Sequence, residues 1–203
     1  MQRSYIVRMK LFLTLLLSSI ISLGFSQSII EWTSEYELSL SDFQSPQTEI
    51  NQNLRNYTIY SGASMDFSFQ MSNAEFMFTK NFNAKVKTTF KQKAAVITAP
   101  DSLIAEQLIS FGQFGLDLTE LFTRKFRKEM YEKKGVFSNV SFFQPIFDKL
   151  QEEMNAESAR VLKLTDFGKK KAILAMEHQK VVMEIETLSD FCFECKPPKK
   201  KKR

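Results

Sequence analysis

Cysteine, histidine and paired carboxylates carry much of protein chemistry, and this chain of 203 residues uses them sparingly. It has one histidine, His178, and two cysteines, Cys192 and Cys195. A C-x-x-C pair can close a small disulfide loop in an oxidising compartment, supply half of a zinc site, or act as a thioredoxin-like couple. The zinc site would need two more soft ligands, and His178 is the single candidate. The redox motif normally follows a strand at a helix start, whereas this pair follows a helical stretch. The reading left is a disulfide or two idle thiols. Asp117 and Glu120 stand three apart in a helical stretch, so their carboxylates can approach as a metal or acid–base pair. The spacing fits a solvated face better, with Glu120 pairing to Arg124 one turn on, because exposed ion pairs of this kind are common and weak. His178 lies between Glu177 and Gln179-Lys180 and reads as a surface residue. No P-loop, Rossmann fingerprint, G-x-S-x-G elbow or EF-hand loop is present.

The elements that would position these groups divide at Pro100. Before it, period-two patterning and β-branched or aromatic residues predict strands over Ile29 to Leu40, Thr58 to Met71, Glu75 to Thr79, Ala84 to Phe90 and Ala94 to Thr98. The polar stretch Gln44 to Asn56, with Pro46, reads as a loop. After Pro100 the period becomes helical. Asp101 or Ser102 can cap a helix with an apolar stripe of Leu108, Phe111, Gly115, Leu118, Phe122 and Phe126, and Gly135 can stop it. A second helix should start near Pro145, with Ile146, Phe147, Leu150 and Met154 inward. A third follows Gly168, with Ile173, Met176, Val181, Ile185 and Leu188 inward. Strands first and helices after predict an α+β fold, an N-terminal antiparallel sheet followed by three helices.

The order of a Trp-bearing first strand, an L-x-x-x-D-F turn, a β-rich stretch and a helix ending E-L-x-x-R-K-x-R resembles the bacterial family called domain of unknown function 922. Its members are regarded as predicted secreted zinc-dependent proteases, and the resemblance covers most of residues 29 to 190. The family's helix reads L-L-x-H-E-Q-x-H-F-D-x-x-E-L-x-x-R-K-x-R. In this chain Gln113, Asp117, Glu120, Leu121, Arg124, Lys125 and Arg127 match. An H-E-x-x-H helix sets two His ligands on one face, with the Glu polarising the metal-bound water. Here Phe111 and Gly115 stand at the ligand positions and Gly112 at the base. The family's later R-Y-D-x-E-T-x-H-G run is met by Arg160 to Gly168, where Arg160, Thr165 and Gly168 fit. Val161, Leu162, Leu164 and Phe167 replace the Tyr, Asp, Glu and His. The resemblance thus implies a zincin-like arrangement without a metal site or other cofactor. It further implies that the Phe111 and Phe167 rings meet where a metal would sit.

Residues 1–26 read as a secretory signal. Arg3, Arg8 and Lys10 precede an apolar Leu11 to Leu23 run that is shorter than a membrane span, and a small-x-small Gly24-Phe25-Ser26 site follows. Residues 27–191 then form one domain, and 192–203 form the C-x-x-C segment and a basic, disordered tail. The stated net charge of +5 rests on these ends. Setting aside three cations in the leader and six in Lys196 and Lys199 to Arg203, the remainder has 19 Lys and Arg against 23 Asp and Glu, a net of −4. A nucleic-acid partner is therefore not expected. The sequence points to a secreted or periplasmic chain with no transmembrane anchor after cleavage. Its expected role is that of a catalytically inactive relative of a zinc peptidase acting as a binding or structural module, with an unidentified protein or envelope component as partner. The alternatives are a hydrolase with a non-zincin site and an envelope scaffold held by the basic tail.

Overall fold

The computed structural model describes residues 28–67, 72–135 and 140–198. The leader expected over 1–26 and the cations of 199–203 lie outside the described residues. Pro100 marks the division between strands and long helices. Asp101 caps the first long helix by accepting a hydrogen bond from the Ile104 amide at 2.8 Å, and the helix then runs unbroken over Ser102–Lys133. We call it α2, because a short helix α1, Asn73–Phe78, precedes it. At 1.5 Å per residue α2 is about 48 Å long. Helices α3, Gln144–Leu164, and α4, Lys171–Thr187, pack against it, as do strands of both sheets. Between Phe111 and Arg127 almost every side chain of α2 is shielded as a result. It is the central beam of an α+β fold.

The strands are β1 Ile29–Glu31, β2 Glu49–Ile50, β3 Thr58–Tyr60, β4 Ala63–Phe67, β5 Val86–Lys91 and β6 Val96–Ala99. They form two three-stranded sheets, ordered β1-β5-β4 and β2-β6-β3. The expected single antiparallel sheet is thus two, and the second contains a parallel pair, β2 on β6. Strand β5 is central in its sheet and pairs antiparallel with both neighbours, Ile30 facing Phe90 and Met65 facing Thr88. The turn from β5 to β6 carries the chain from one sheet to the other. The long strand expected over Thr58 to Met71 is interrupted at Gly62, where a Cβ would lie 2.5 Å from the Lys91 carbonyl oxygen.

Several local expectations are corrected. The first strand covers only Ile29–Glu31 of the expected Ile29 to Leu40, and the polar loop includes the two residues of β2. Glu75 to Thr79 is not a strand. Ser72 accepts from the Glu75 amide at 3.1 Å and starts α1 there, an instance of a local cap overriding β propensity. Met176, expected inward, is 64% exposed; Leu174 and Glu177 take the buried positions instead. The first residues of the expected tail, up to Pro198, make contacts with the rest of the fold. The Cys195 carbonyl accepts from Asn83 Nδ2 at 2.9 Å and from Asn81 Nδ2 at 3.2 Å, and Tyr131 Oη donates to the Pro198 carbonyl.

Candidate functional site

The positions that the resemblance marks as a former metal site lie on the N-terminal half of α2. Phe111 is buried and packs against Phe114, with ring centroids 5.7 Å apart. Gly112 is covered by the other core cluster. A Cβ there would sit 3.1 Å from Phe43 Cζ and 3.3 Å from Ile59 Cδ1, with Leu38 Cδ1 at 3.7 Å. A larger side chain there would press on Phe43 and Ile59, whereas Leu38 is at ordinary contact distance. Gly115 is less crowded, with Ser61 Oγ at 3.7 Å from an added Cβ.

The turn joining α3 to α4 does come to this place. Gly168 has φ +86°, and a Cβ on it would be 2.6 Å from the Gln107 carbonyl and 3.4 Å from Phe111 Cβ. Asp166 and Phe167 also have positive φ, 49° and 56°, a backbone that non-glycine residues rarely adopt. The turn is held by Thr165, whose hydroxyl donates to the Val161 carbonyl at 2.7 Å and accepts from the Gly168 amide at 3.2 Å. The Phe167 ring has partners of its own. It stacks edge-on against Tyr57 at 5.5 Å and joins the cluster of Leu38 and Phe43, whereas Phe111 belongs to the cluster of Phe114 and Leu118. The backbones of the two positions thus meet, and each ring has an aromatic partner, Tyr57 for Phe167 and Phe114 for Phe111.

The residues that do match the resemblance form a different structure. Gln113, Asp117, Glu120, Arg124 and Arg127 are spaced 4, 3, 4, 3 and so share one stripe of α2, about half a turn from Phe111 and Gly115. Asp117 is at the centre. Trp32 Nε1 donates to its Oδ1 at 2.6 Å, and Gln113 Nε2 and His178 Nε2 donate to its Oδ2 at 3.1 and 2.7 Å. Gln113 Oε1 in turn accepts from the Leu38 amide at 2.8 Å. His178 is therefore not the surface residue expected from its neighbours. It ties α4 to α2, with its ring edge-on to Phe114.

One turn further, Glu120 pairs with Arg124 at 2.8 Å as its spacing predicts, but both are buried, not on a solvated face. Arg127 also reaches Glu120, at 3.2 Å. Two guanidinium groups on one carboxylate leave an excess positive charge, and backbone carbonyls offset it. Arg127 donates to Val86 O at 2.6 Å and to Phe191 O at 2.9 Å, and Arg124 to Ile185 O at 3.0 Å. Burial lowers the Arg127 pKa, opposed by Glu120 and reinforced by Arg124. This network joins α2 to β5, α4 and the C-terminal segment. Trp32 lies over Arg124, 5.4 Å from the guanidinium carbon to the ring centroid.

A second charged group lines a cleft of about 350 Å³ between α3 and α4. Hydrogen bonds from Lys180 and Arg160 hold the Glu177 carboxyl below its usual range, and Glu157 and Glu177 together raise Arg160. Its acids and bases are already paired. Among the described residues there is no group of three or more His, Cys, Asp or Glu side chains arranged to hold a metal ion. Cys192 and Cys195 are joined in a disulfide. The sequence reading missed Trp32, His178 and the carbonyl acceptors of the arginines. The 4, 3, 4, 3 polar spacing within residues 111–127, where most of the other residues are apolar, is the signal that could have found them. Comparison with protein-family models, curated proteins and solved structures gives no match.

Proposed function

We propose that this chain is a catalytically silent, zincin-like module that works by binding, exported from a bacterial cell, with no metal or other cofactor of its own. The observation that supports it best is the environment of Gly112. The place where a zinc peptidase needs its general base is packed by Phe43, Ile59 and Leu38. A metal-bound water needs imidazole or carboxylate ligands and a base beside it. Phe111 and Gly115 offer no ligand atom, and the nearest acid on the helix, Asp117, accepts three hydrogen bonds from other side chains. The chain from Gln27 onward should retain well under one zinc per molecule after dialysis and should leave casein intact. Stoichiometric zinc with chelator-sensitive cleavage would overturn the proposal.

A hydrolase of another kind has one observation in its favour, the Asp117–His178 pair, since a carboxylate on imidazole orients a general base. That chemistry also needs a nucleophile within reach of the other ring nitrogen. Among the described residues no hydroxyl or thiol is hydrogen-bonded to His178. Esterase activity abolished by His178→Asn in a variant that still folds would favour this second reading over the first.

A further inference from the structure

We infer that the outward face of α4 is the surface through which two copies of this chain associate, the two α4 helices lying antiparallel about a two-fold axis. The inference is independent of whether the α2 site is silent. Helix α4 buries Leu174, Glu177, Val181 and Ile185 against the rest of the fold. At 3.6 residues per turn the opposite side carries Ala172, Ala175, Met176, Gln179, Val182 and Met183. None of the six is charged, and all but Gln179 are apolar. Met176 is 64% exposed and Met183 49%. Residues 172, 176, 179 and 183 are spaced 4, 3 and 4, the repeat with which one helix packs along another. A helix that faces a single core is polar on its outer side. The outer side of α4 is not.

The charges at the two ends of α4 point to what covers this strip. Lys169, Lys170 and Lys171 stand at its N-terminus and Glu184 and Glu186 near its C-terminus, with no acid in the first turn and no base in the last. The helix dipole favours the reverse order, acids first and bases last. Within the chain the conflict is relieved only in part, by Lys169 pairing with Asp166 and Glu184 with Lys125. Among the described residues, Lys170, Lys171 and Glu186 have no ion-pair partner. Lys171, Ala175, Val182 and Glu186 follow at intervals of 4, 7 and 4, so they lie along one side of the strip. The pair 171 and 186 and the pair 175 and 182 share a midpoint, between residues 178 and 179. A two-fold axis there brings Lys171 of each copy to Glu186 of the other and Ala175 to Val182, with Met176 close to Met183.

One register thus covers the apolar strip and neutralises the misplaced charges together. The contact is isologous, with every residue pair occurring twice, as a two-fold interface requires. Antiparallel helices also set the positive end of one dipole beside the negative end of the other. A different protein could cover the methionines, but nothing would oblige it to carry the complement of the end charges. Two helices of 17 residues, each about 25 Å long, cover less than the roughly 1,600 Å² of a standard interface. The association is therefore weak, with a Kd of about 1–100 µM.

The test uses the chain from Gln27 onward, which contains every residue of the fold described above. Sedimentation equilibrium over a concentration series should show monomer and dimer exchanging in that range. Met176→Glu with Met183→Glu should weaken association roughly tenfold or more, because carboxylates would then be buried in the contact. Lys171→Glu and Glu186→Lys should each weaken it about three- to tenfold, since like charges then face each other twice. Combining the two swaps in one chain should restore association, and so should mixing the two single variants, where every pair again has opposite signs. All four side chains are exposed, so the fold should survive, checked by circular dichroism. A chain still monomeric at roughly 300 µM, a dimer indifferent to the Met176 and Met183 changes, or a double swap that fails to restore association would each overturn the inference. So would a monomer that uses this strip to bind a different protein or lipid vesicles.

Discussion

The two faces of α2 have been treated oppositely. Around Phe111, Gly112 and Gly115 the helix carries nothing that could do chemistry, and the space is taken by core side chains. Half a turn away, Gln113, Asp117, Glu120, Arg124 and Arg127 have partners from Trp32 just after β1, from β5, from α4 and from the C-terminal segment. The difference teaches which parts of a site-bearing helix a fold depends on. A ligand histidine can be replaced by phenylalanine with little loss, because an apolar side chain is welcome in a core. A buried charge network cannot be thinned singly, because each removal leaves another charged group without its partner.

The largest expected effect follows from that asymmetry. Arg127→Ala should destabilise the protein by about 3–5 kcal/mol in urea unfolding, since Glu120 and the Val86 and Phe191 carbonyls lose a buried donor. Arg127→Met, which fills the same space without charge, should cost no less than Ala if the carbonyls matter most. Recovery of most of the stability by Met would mean that packing, not hydrogen bonding, holds this seam.

On the opposite face, Phe111→Ala should cost about 3–5 kcal/mol and Phe167→Ala less, because Phe167 is only partly buried. Their separate ring partners predict additive losses within about 0.5 kcal/mol in the double mutant. Strong non-additivity would restore the idea of one shared, filled site.

The two helix glycines sharpen the comparison further. Gly115→Ala should stabilise by up to about 1 kcal/mol, because its added Cβ meets only Ser61 Oγ at ordinary contact distance. At Gly112 the same gain in helix propensity is opposed by Phe43 and Ile59, which must give way, so Gly112→Ala should be neutral or destabilising. Thermal melts of the two variants give the order directly, and equal stabilisation would show that the packing over Gly112 is loose.

The smallest effect is with acid, and it lies outside α2. Burial pushes the Asp42 carboxyl up, but hydrogen bonds from the Ser39 amide, Tyr36, the Ser39 hydroxyl and Gln92 together hold it below its ordinary 3.8. Burial and the same carboxylate raise the Tyr36 phenol to about 12. A carboxylate with a lowered folded pKa stabilises above its unfolded value, and that contribution is lost as pH falls through the folded one. Stability should thus decline below about pH 4, and Asp42→Asn should flatten that part of the profile. An unchanged slope in the variant would assign the acid sensitivity to other groups such as Asp66, which is also lowered.

Much of this was open to reading in the chain itself. The break at Pro100, the Asp101 cap, the Pro145 start and the helical apolar periods follow from local chemistry, and the structure has them within a few residues. That Phe111, Gly112 and Gly115 carry no ligand-type side chain is a fact of covalent composition and needs no fold. Local chemistry could not decide which neighbours each helix face would meet. Glu177, Gln179 and Lys180 made His178 look exposed, yet its partner Asp117 is 61 residues away. Glu120 and Arg124 have the spacing of a surface pair, and only the strands and α4 closing over them make the pair buried. The turn at Phe167 has a left-handed backbone fixed by Thr165, which no propensity for phenylalanine would suggest. Spacing along the chain determines what lies on one face of one element. What covers that face depends on long-range packing, and here it separates the apolar packing around Phe111 and Gly112 from the polar seam that joins the elements.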